Sequence, residues 1–160
     1  MKKLIILSDT HGNLNAVADL LPRIAENDYV IHLGDGAGDM RETRNLYPDK
    51  VYVVGGNCDF FAPLPHEGEL EIEQLKIFYT HGHKYGVKDG REKLAAEAKR
   101  RGCDIALYGH THIAMIDEID GVTLINPGSL RYPVGKGGSY CYLVINKDKA
   151  TPVIVGDVYF

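Results

Sequence analysis

The sequence predicts an α/β fold of two packed sheets with helices on their outer faces, in one domain over residues 1–160. Three observations carry that expectation. The first half alternates short apolar runs with amphipathic helical segments, a β-α-β-α-β rhythm that makes parallel strands with helical crossovers. The second half holds a hairpin, one clear helix and a succession of strands and turns. The chain of 160 residues, 44% hydrophobic and 25% charged, is long enough to bury a core without staples.

Lys3 to Ser8 is a continuous apolar run, as in a strand covered on both faces. Asn13 caps a following helix, with Leu14, Val17, Ala18 and Leu21 expected on its inner face. Pro22 lies inside that pattern and predicts a kink or a division into two parts. Tyr29 to Leu33 is the second strand, Asp39 to Leu46 a weaker helix ended by Pro48, and Val51 to Val54 a third strand stopped by Gly55-Gly56. Glu67 to Glu73 and Leu75 to Thr80 pair across Gln74 as a hairpin. Asp89 to Arg101 is a helix with Leu94, Ala95 and Ala98 inward and Gly102 as its stop. Asp104 to Tyr108 is again a strand. Ala114 to Ile119, Val122 to Ile125, Tyr140 to Asn146 and Pro152 to Val158 read as antiparallel strands, with Asp120-Gly121 a hairpin turn.

A net charge of −4 provides no global attraction to nucleic acid or to an anionic membrane. Bound divalent cations would reverse that sign locally, so an anionic substrate is compatible with it. Cys58, Cys103 and Cys141 form no CxxC pair, which points to a reducing, cytoplasmic setting. At the start, only Leu4 to Leu7 are apolar before Ser8 and Asp9, short of the roughly 7–15 residues of a signal core. No segment approaches the roughly 18 apolar residues of a membrane span.

Seven residues of metal-ligand type stand in short signatures after predicted strands: Asp9 and His11 in SDTHG, Asp35 in LGD, Asn57 in GGNCD, His81 in THGH, and His110 and His112 in GHTH. Strand ends and the loops after them are where open α/β sheets build their sites. Residues two apart in extended backbone project to one side, so Asp9 with His11, and His110 with His112, can share an ion. Taken singly, each has a plainer explanation. Asp9-x-His11 is also an acidic turn and a capping-region histidine, Gly34-Asp35 is also a turn, and Asn57 is also a left-handed turn residue. His81, His110 and His112 beside glycines are harder to explain that way, and Gly82 and Gly109 are expected to let backbone approach an ion. Seven O and N donors suffice for two ions sharing one carboxylate, and Asp35 is the natural bridge because a carboxylate has two oxygens. Paired metals are a device for attacking phosphate esters. Of the other histidines, His32 reads as a core residue or a support to the site, His83 as reaching the site's rim, and His66 as exposed. Asn126-Pro127-Gly128-Ser129 is equally a simple turn or a site-facing loop.

In their order DxHG, GD, GNxD, HGH, GHTH and NPGS, these motifs resemble the calcineurin-like metallophosphoesterases, and within them the small branch of YfcE-type phosphodiesterases. The resemblance runs from Asp9 to the Tyr140 strand. It implies a four-layer α/β/β/α sandwich with a dinuclear site. It implies one ion held by Asp9, His11, Asp35 and His112 and a second by Asp35, Asn57, His81 and His110. A donor set of oxygen and imidazole without thiolate suits two divalent ions, Mn²⁺ foremost, with Ni²⁺, Fe²⁺ or Zn²⁺ as alternatives. Asp35 and Asn57 would thereby also serve catalysis. Many relatives read GNH where this chain has Cys58, and that histidine helps protonate the leaving group. The expectation is therefore a weak acid at Cys58, with His83 as the alternative. A branch pattern of PR after NPGS reads Pro133-Val134 here, leaving Arg131 or Lys136 to face the phosphate. The implied activity is hydrolysis of a small phosphodiester, with no stable nucleic-acid binding, no membrane association, and sheet edges that permit a homo-oligomer. Competing readings are a non-catalytic scaffold like the retromer subunit of the same superfamily, and a phosphomonoesterase or nuclease using the same site.

Overall fold

Hydrophobic alternation places every layer. In a computed structural model, which describes residues 1–60, 62–134 and 137–158, strand β1 (Lys2–Leu7) sends Leu4 and Ile6 to one face and Ile5 and Leu7 to the other. Leu4 and Ile6 join Ile31, Leu33, Leu143 and Ile145 against Ile77, Tyr79, Ile105, Leu107 and Ile125 of a second sheet. Ile5 and Leu7 pack on helix α1 (Leu14–Glu26) through Val17, Leu20 and Ile24. On the far side, Phe78, Ala106 and Leu124 meet Leu94, Ala95 and Ala98 of helix α3 (Glu92–Arg100). The layer order is thus helix, sheet, sheet, helix, the expected four-layer α/β/β/α arrangement.

The first sheet runs β10-β9-β1-β2-β3, with β2 Tyr29–His32, β3 Val51–Val53, β9 Gly138–Asn146 and β10 Lys149–Val158. Strands β1, β2 and β3 are parallel; β9 is antiparallel to both β1 and β10. The second sheet runs β4-β5-β6-β8-β7, with β4 Glu67–Ile72, β5 Leu75–Thr80, β6 Ile105–Leu107, β7 Met115–Ile119 and β8 Val122–Asn126. Strands β5, β6 and β8 are parallel. Helix α2 (Arg41–Leu46) follows a short 3₁₀ turn at Ala37–Met40.

Two expectations need correcting. The buried face of α1 is Ala16, Val17, Leu20 and Ile24, while Leu14 is 60% exposed and Ala18 lies in solvent. Both sets repeat at helical spacing, and β1 and β2 decide which one is inward. The helix also runs unbroken through Pro22, whose ring sits on its exposed side. The four late strands pair antiparallel as expected, β7 with β8 and β9 with β10, one pair in each sheet, and β8 also runs parallel to β6. The cysteines are free thiols, and no helix among the described residues is long and apolar enough to cross a membrane.

Candidate metal centre

The C-terminal ends of five parallel strands, three in one sheet and two in the other, point at one place. Asp9 and His11 follow β1, Asp35 follows β2, Asn57 follows β3, His81 follows β5, and His110 and His112 follow β6. The structure brings all seven of these predicted ligands together. Backbone hydrogen bonds knit the loops: Asp9 N to Gly34 O at 2.9 Å, His11 N to Asp35 O at 3.1 Å, and Gly109 N to His81 O at 3.0 Å.

Both carboxylates have one oxygen satisfied by protein hydrogens and one left facing imidazoles. Asp9 Oδ2 accepts from Ser8 Oγ at 2.5 Å and from His110 N at 3.1 Å. Its Oδ1 lies 3.0 Å from His112 Nε2 and 3.7 Å from His11 Nε2. Asp35 Oδ1 accepts from Cys58 N at 2.8 Å. Its Oδ2 lies 3.4 Å from His81 Nε2 and 3.8 Å from His11 Nε2. The sequence suggested one oxygen of Asp35 per ion; with Oδ1 engaged by the backbone, Oδ2 alone faces both halves of the site.

The imidazoles are oriented from behind. His81 Nδ1 donates to Leu33 O at 2.7 Å, across the two sheets, and His112 Nδ1 donates to Tyr132 O at 2.8 Å. In those tautomers each Nε2 turns a lone pair inward. His81 Nε2 then faces Asn57 Oδ1 at 3.0 Å and His110 Nδ1 at 3.2 Å as well as Asp35 Oδ2. His11 Nε2 is buried without a hydrogen-bond partner. With the imidazoles neutral, electron-pair donors converge at such distances and repel unless protons on Nε2 or a cation lie among them, so this donor set fits metal ions.

Electrostatics agree. Burial works to raise the Asp35 carboxyl, but the hydrogen bond and charge of His81 outweigh it and hold the pKa far below the usual range. Asp9 is lowered against the same burial by its contact with His112. His81 is raised: burial opposes its charge, and Asp35 and Asp9 overcome it. His112 is raised, foremost by its hydrogen bond to Asp9. His110 is brought down to about 4 by burial and by the charge of His81.

The backbone is held in a costly conformation to achieve this. Among the described residues, eight other than glycine have positive φ. Glu73, Asp120 and Lys147 are hairpin-turn residues; the other five are Asp9, His11, Asp35, His110 and His112. Left-handed backbone at non-glycine residues costs on the order of 1–2 kcal/mol and clusters at functional sites. Glycine serves close approach instead. A Cβ on Gly56 would lie 2.6 Å from Asp35 N, and one on Gly109 would lie 2.8 Å from Asp9 Oδ2. Gly82, expected to admit an ion, instead takes φ +101° with a would-be Cβ 3.0 Å from Val87.

One supporting residue had gone unread. Asp59, the last residue of GGNCD, accepts four backbone N–H groups: Asp35 and Gly56 at Oδ2, both 2.8 Å, and Gly36 and Ala37 at Oδ1, both 3.0 Å. It staples the β2 loop to the β3 loop. The NPGS segment belongs to the site. Ser129 Oγ donates to Asp9 O at 2.8 Å, and Asn126 Nδ2 donates to Gly109 O at 3.1 Å and Thr111 Oγ1 at 2.9 Å. His32 is a buried support: Gly34 N donates to its Nδ1 at 3.1 Å, so Nε2 donates to Thr10 Oγ1 at 3.0 Å, and Thr10 donates to Asp39 at 2.6 Å. Burial keeps His32 neutral, with a pKa of about 4.

The residues proposed for proton transfer are less well placed. Cys58 is exposed beside Asp35, and partial loss of solvent around the thiol, together with that carboxylate, pushes its pKa up. His83 stands at the rim, 5.4 Å from the His81 ring and 6.1 Å from the His110 ring, and burial lowers its pKa. His66 is exposed, as expected, with its ring 6.1 Å from His83. Arg131 is exposed and lies over the Tyr132 ring at 5.2 Å. Lys136 lies outside the described residues.

Comparison with known proteins adds to this geometry. The calcineurin-like phosphoesterase superfamily domain matches residues 1–148. The probable metallophosphoesterase YsnB of Bacillus subtilis is 38% identical over 92% of this chain and 86% of its own. The phosphodiesterase YfcE of Escherichia coli is 29% identical over 98% of this chain and 94% of its own. A solved Streptococcus pneumoniae protein, described as a predicted phosphoesterase, superposes with a TM-score of 0.84 at 29% identity, over 98% of this chain and 90% of its own. Vps29 of Entamoeba histolytica complexed with zinc superposes at 0.76 and 22% identity, over 98% of this chain and 99% of its own, a likeness of fold alone.

Proposed function

The chain belongs to the calcineurin-like phosphoesterase superfamily, and from that membership we propose that it is a metal-dependent phosphodiesterase acting on small phosphodiesters through a two-ion site. The observation that carries this reading is Asp35 Oδ2, aimed at both His81 Nε2 and His11 Nε2 while Oδ1 is engaged by Cys58 N. Asp9, His11, Asp35 and His112 would hold one ion, and Asp35, Asn57, His81 and His110 the other. Divalent ions held there would supply a water of lowered pKa and neutralise charge on the phosphoryl oxygens. The residues' own work is to fix donor positions: Leu33 O and Tyr132 O set the tautomers, and Ser8 and Cys58 turn the free carboxylate oxygens inward. Mn²⁺ is the first candidate, with Ni²⁺, Fe²⁺ and Zn²⁺ behind it. The setting proposed is cytoplasmic. Metal analysis of purified protein, with hydrolysis of bis(p-nitrophenyl) phosphate after chelation and metal add-back, tests the reading. Two ions per chain and restored turnover are expected; turnover unaffected by chelation would refute it.

The scaffold reading rests on Cys58 and on the shared fold with Vps29. Against it, all seven donor positions carry competent residues, and the chain holds five of them in strained backbone. A polymer substrate is disfavoured by the net charge of −4.

Two results follow from the site's protonation. His81 and His112 are both held above the ordinary histidine pKa. They must be neutral to ligate, so protons compete with metal from higher pH than for a free imidazole. Bound metal is expected to be complete near pH 8 and to fall as pH drops through about 7 to 6. Metal content measured after dialysis across that range checks this, and a flat profile down to pH 5 would contradict it. The raised thiol of Cys58 makes it a poor acid. Rates across a series of aryl diesters should therefore fall steeply as the leaving-group pKa rises, and Cys58→His should recover the poor leaving groups. A flat series would mean that another group supplies the proton.

A further inference from the structure

Beside the GHTH loop lies a recess of about 200 Å³ that the metal chemistry does not use. Thr111, set between His110 and His112, and Ile113, the next residue after them, form its inner edge. Tyr108, Val87 and Met115 provide apolar wall; Tyr108 and Val87 are buried. Ile113 is 42% exposed, a large aliphatic side chain left open at the margin of a polar site.

Two cationic side chains complete the lining, each with something unspent. Arg91 Nη2 is bound to Asp117 at 2.7 Å, which balances its charge, but its Nε is buried without a hydrogen-bond partner. A buried N–H without an acceptor is a standing cost that a ligand atom can remove. Lys88 has no carboxylate partner among the described residues. The recess is therefore apolar in its body and donor-rich at its edge, and Thr111 in its lining is bracketed in the chain by the proposed ligands His110 and His112.

Resting on the phosphodiesterase reading, we propose that this recess receives the ester arm of the substrate that is not expelled, and that it selects a flat apolar arm ending in a hydrogen-bond acceptor. A phosphomonoester lacks such an arm, and a short alkyl arm leaves the walls and the Arg91 N–H unfilled.

The test uses two diesters with the same leaving group, bis(p-nitrophenyl) phosphate and methyl p-nitrophenyl phosphate. The first offers an aromatic arm with a nitro acceptor, the second only a methyl group. The ratio of their kcat/KM values is compared between the metal-loaded protein and its variants, so that intrinsic reactivity cancels. Ile113→Asp puts a charge on the apolar wall, and Lys88→Met keeps the stem while deleting the ammonium. Ile113→Asp is expected to lower the ratio about tenfold, with a smaller fall in Lys88→Met. An unchanged ratio in both variants overturns the proposal.

A second readout does not need turnover. The chain has three methionines, Met1, Met40 and Met115, of which Met115 lines the recess and Met40 is buried beneath α1. In methyl-labelled, metal-loaded protein, diphenyl phosphate should shift the Met115 resonance, and dimethyl phosphate should leave it in place. A Met115 shift without hydrolysis of either diester would keep the recess and refute the phosphodiesterase reading. Hydrolysis with a constant ratio and an unmoved Met115 would do the reverse.

Discussion

Asp35→Asn is expected to lose both ions together and to lower turnover on the order of 10³-fold or more, about 4 kcal/mol of transition-state stabilisation. The substitution keeps size and shape. The amide oxygen can still accept from Cys58 N, as Oδ1 does at 2.8 Å. The amide nitrogen then occupies the place of Oδ2, where it presents hydrogens to His81 Nε2 and His11 Nε2. Those lone pairs, which face a carboxylate oxygen in the native donor set, would face an N–H donor instead, so the fold should persist while ligation fails. Metal analysis, circular dichroism and diester turnover on one preparation check all three parts. A variant that retained one ion at native affinity would show that Asp35 belongs to a single ion position. Loss of secondary structure along with metal would mean that the carboxylate is needed for folding.

Asp59→Ala should be the most destabilising change near the site that touches no proposed ligand side chain, by about 3 kcal/mol. Its carboxylate takes four backbone N–H groups from two loops, and alanine leaves all four to find water. Asp59→Asn should rescue little. One half of the amide can accept two of the N–H groups, but the other half would point its own hydrogens at the remaining two. Urea unfolding of metal-free protein measures both variants without interference from ligation. Native stability in Asp59→Asn would show that charge and acceptor count at this position are unimportant.

Much of the site could be read from the sequence because metal ligation restricts residue type. Only a few side chains bring a suitable lone pair to a strand end, so Asp9, His11, Asp35, Asn57, His81, His110 and His112 announce themselves. The residues that hold them do not. Asp59 and Ser129 act on backbone atoms, and any acidic or hydroxyl residue in a loop looks the same until the partner loop is in place. The GNxD and NPGS spacing was the available signal, and it carried no direction. For the fold, hydrophobic runs located the strands, and Gly102 and Asp120-Gly121 located ends and turns. Periodicity could not choose between the two apolar stripes of α1, since Leu14-Ala18-Leu21 and Val17-Leu20-Ile24 both repeat every three or four residues. The choice is made by β1 and β2, far away in sequence. Likewise, a hairpin turn fixes the β7–β8 pair but says nothing about β6 on the other side of β8.

The left-handed backbone at Asp9, His11, Asp35, His110 and His112 has an evolutionary corollary. Glycine would adopt each of those angles without steric strain, so backbone comfort and metal capture pull in opposite directions at the same five codons.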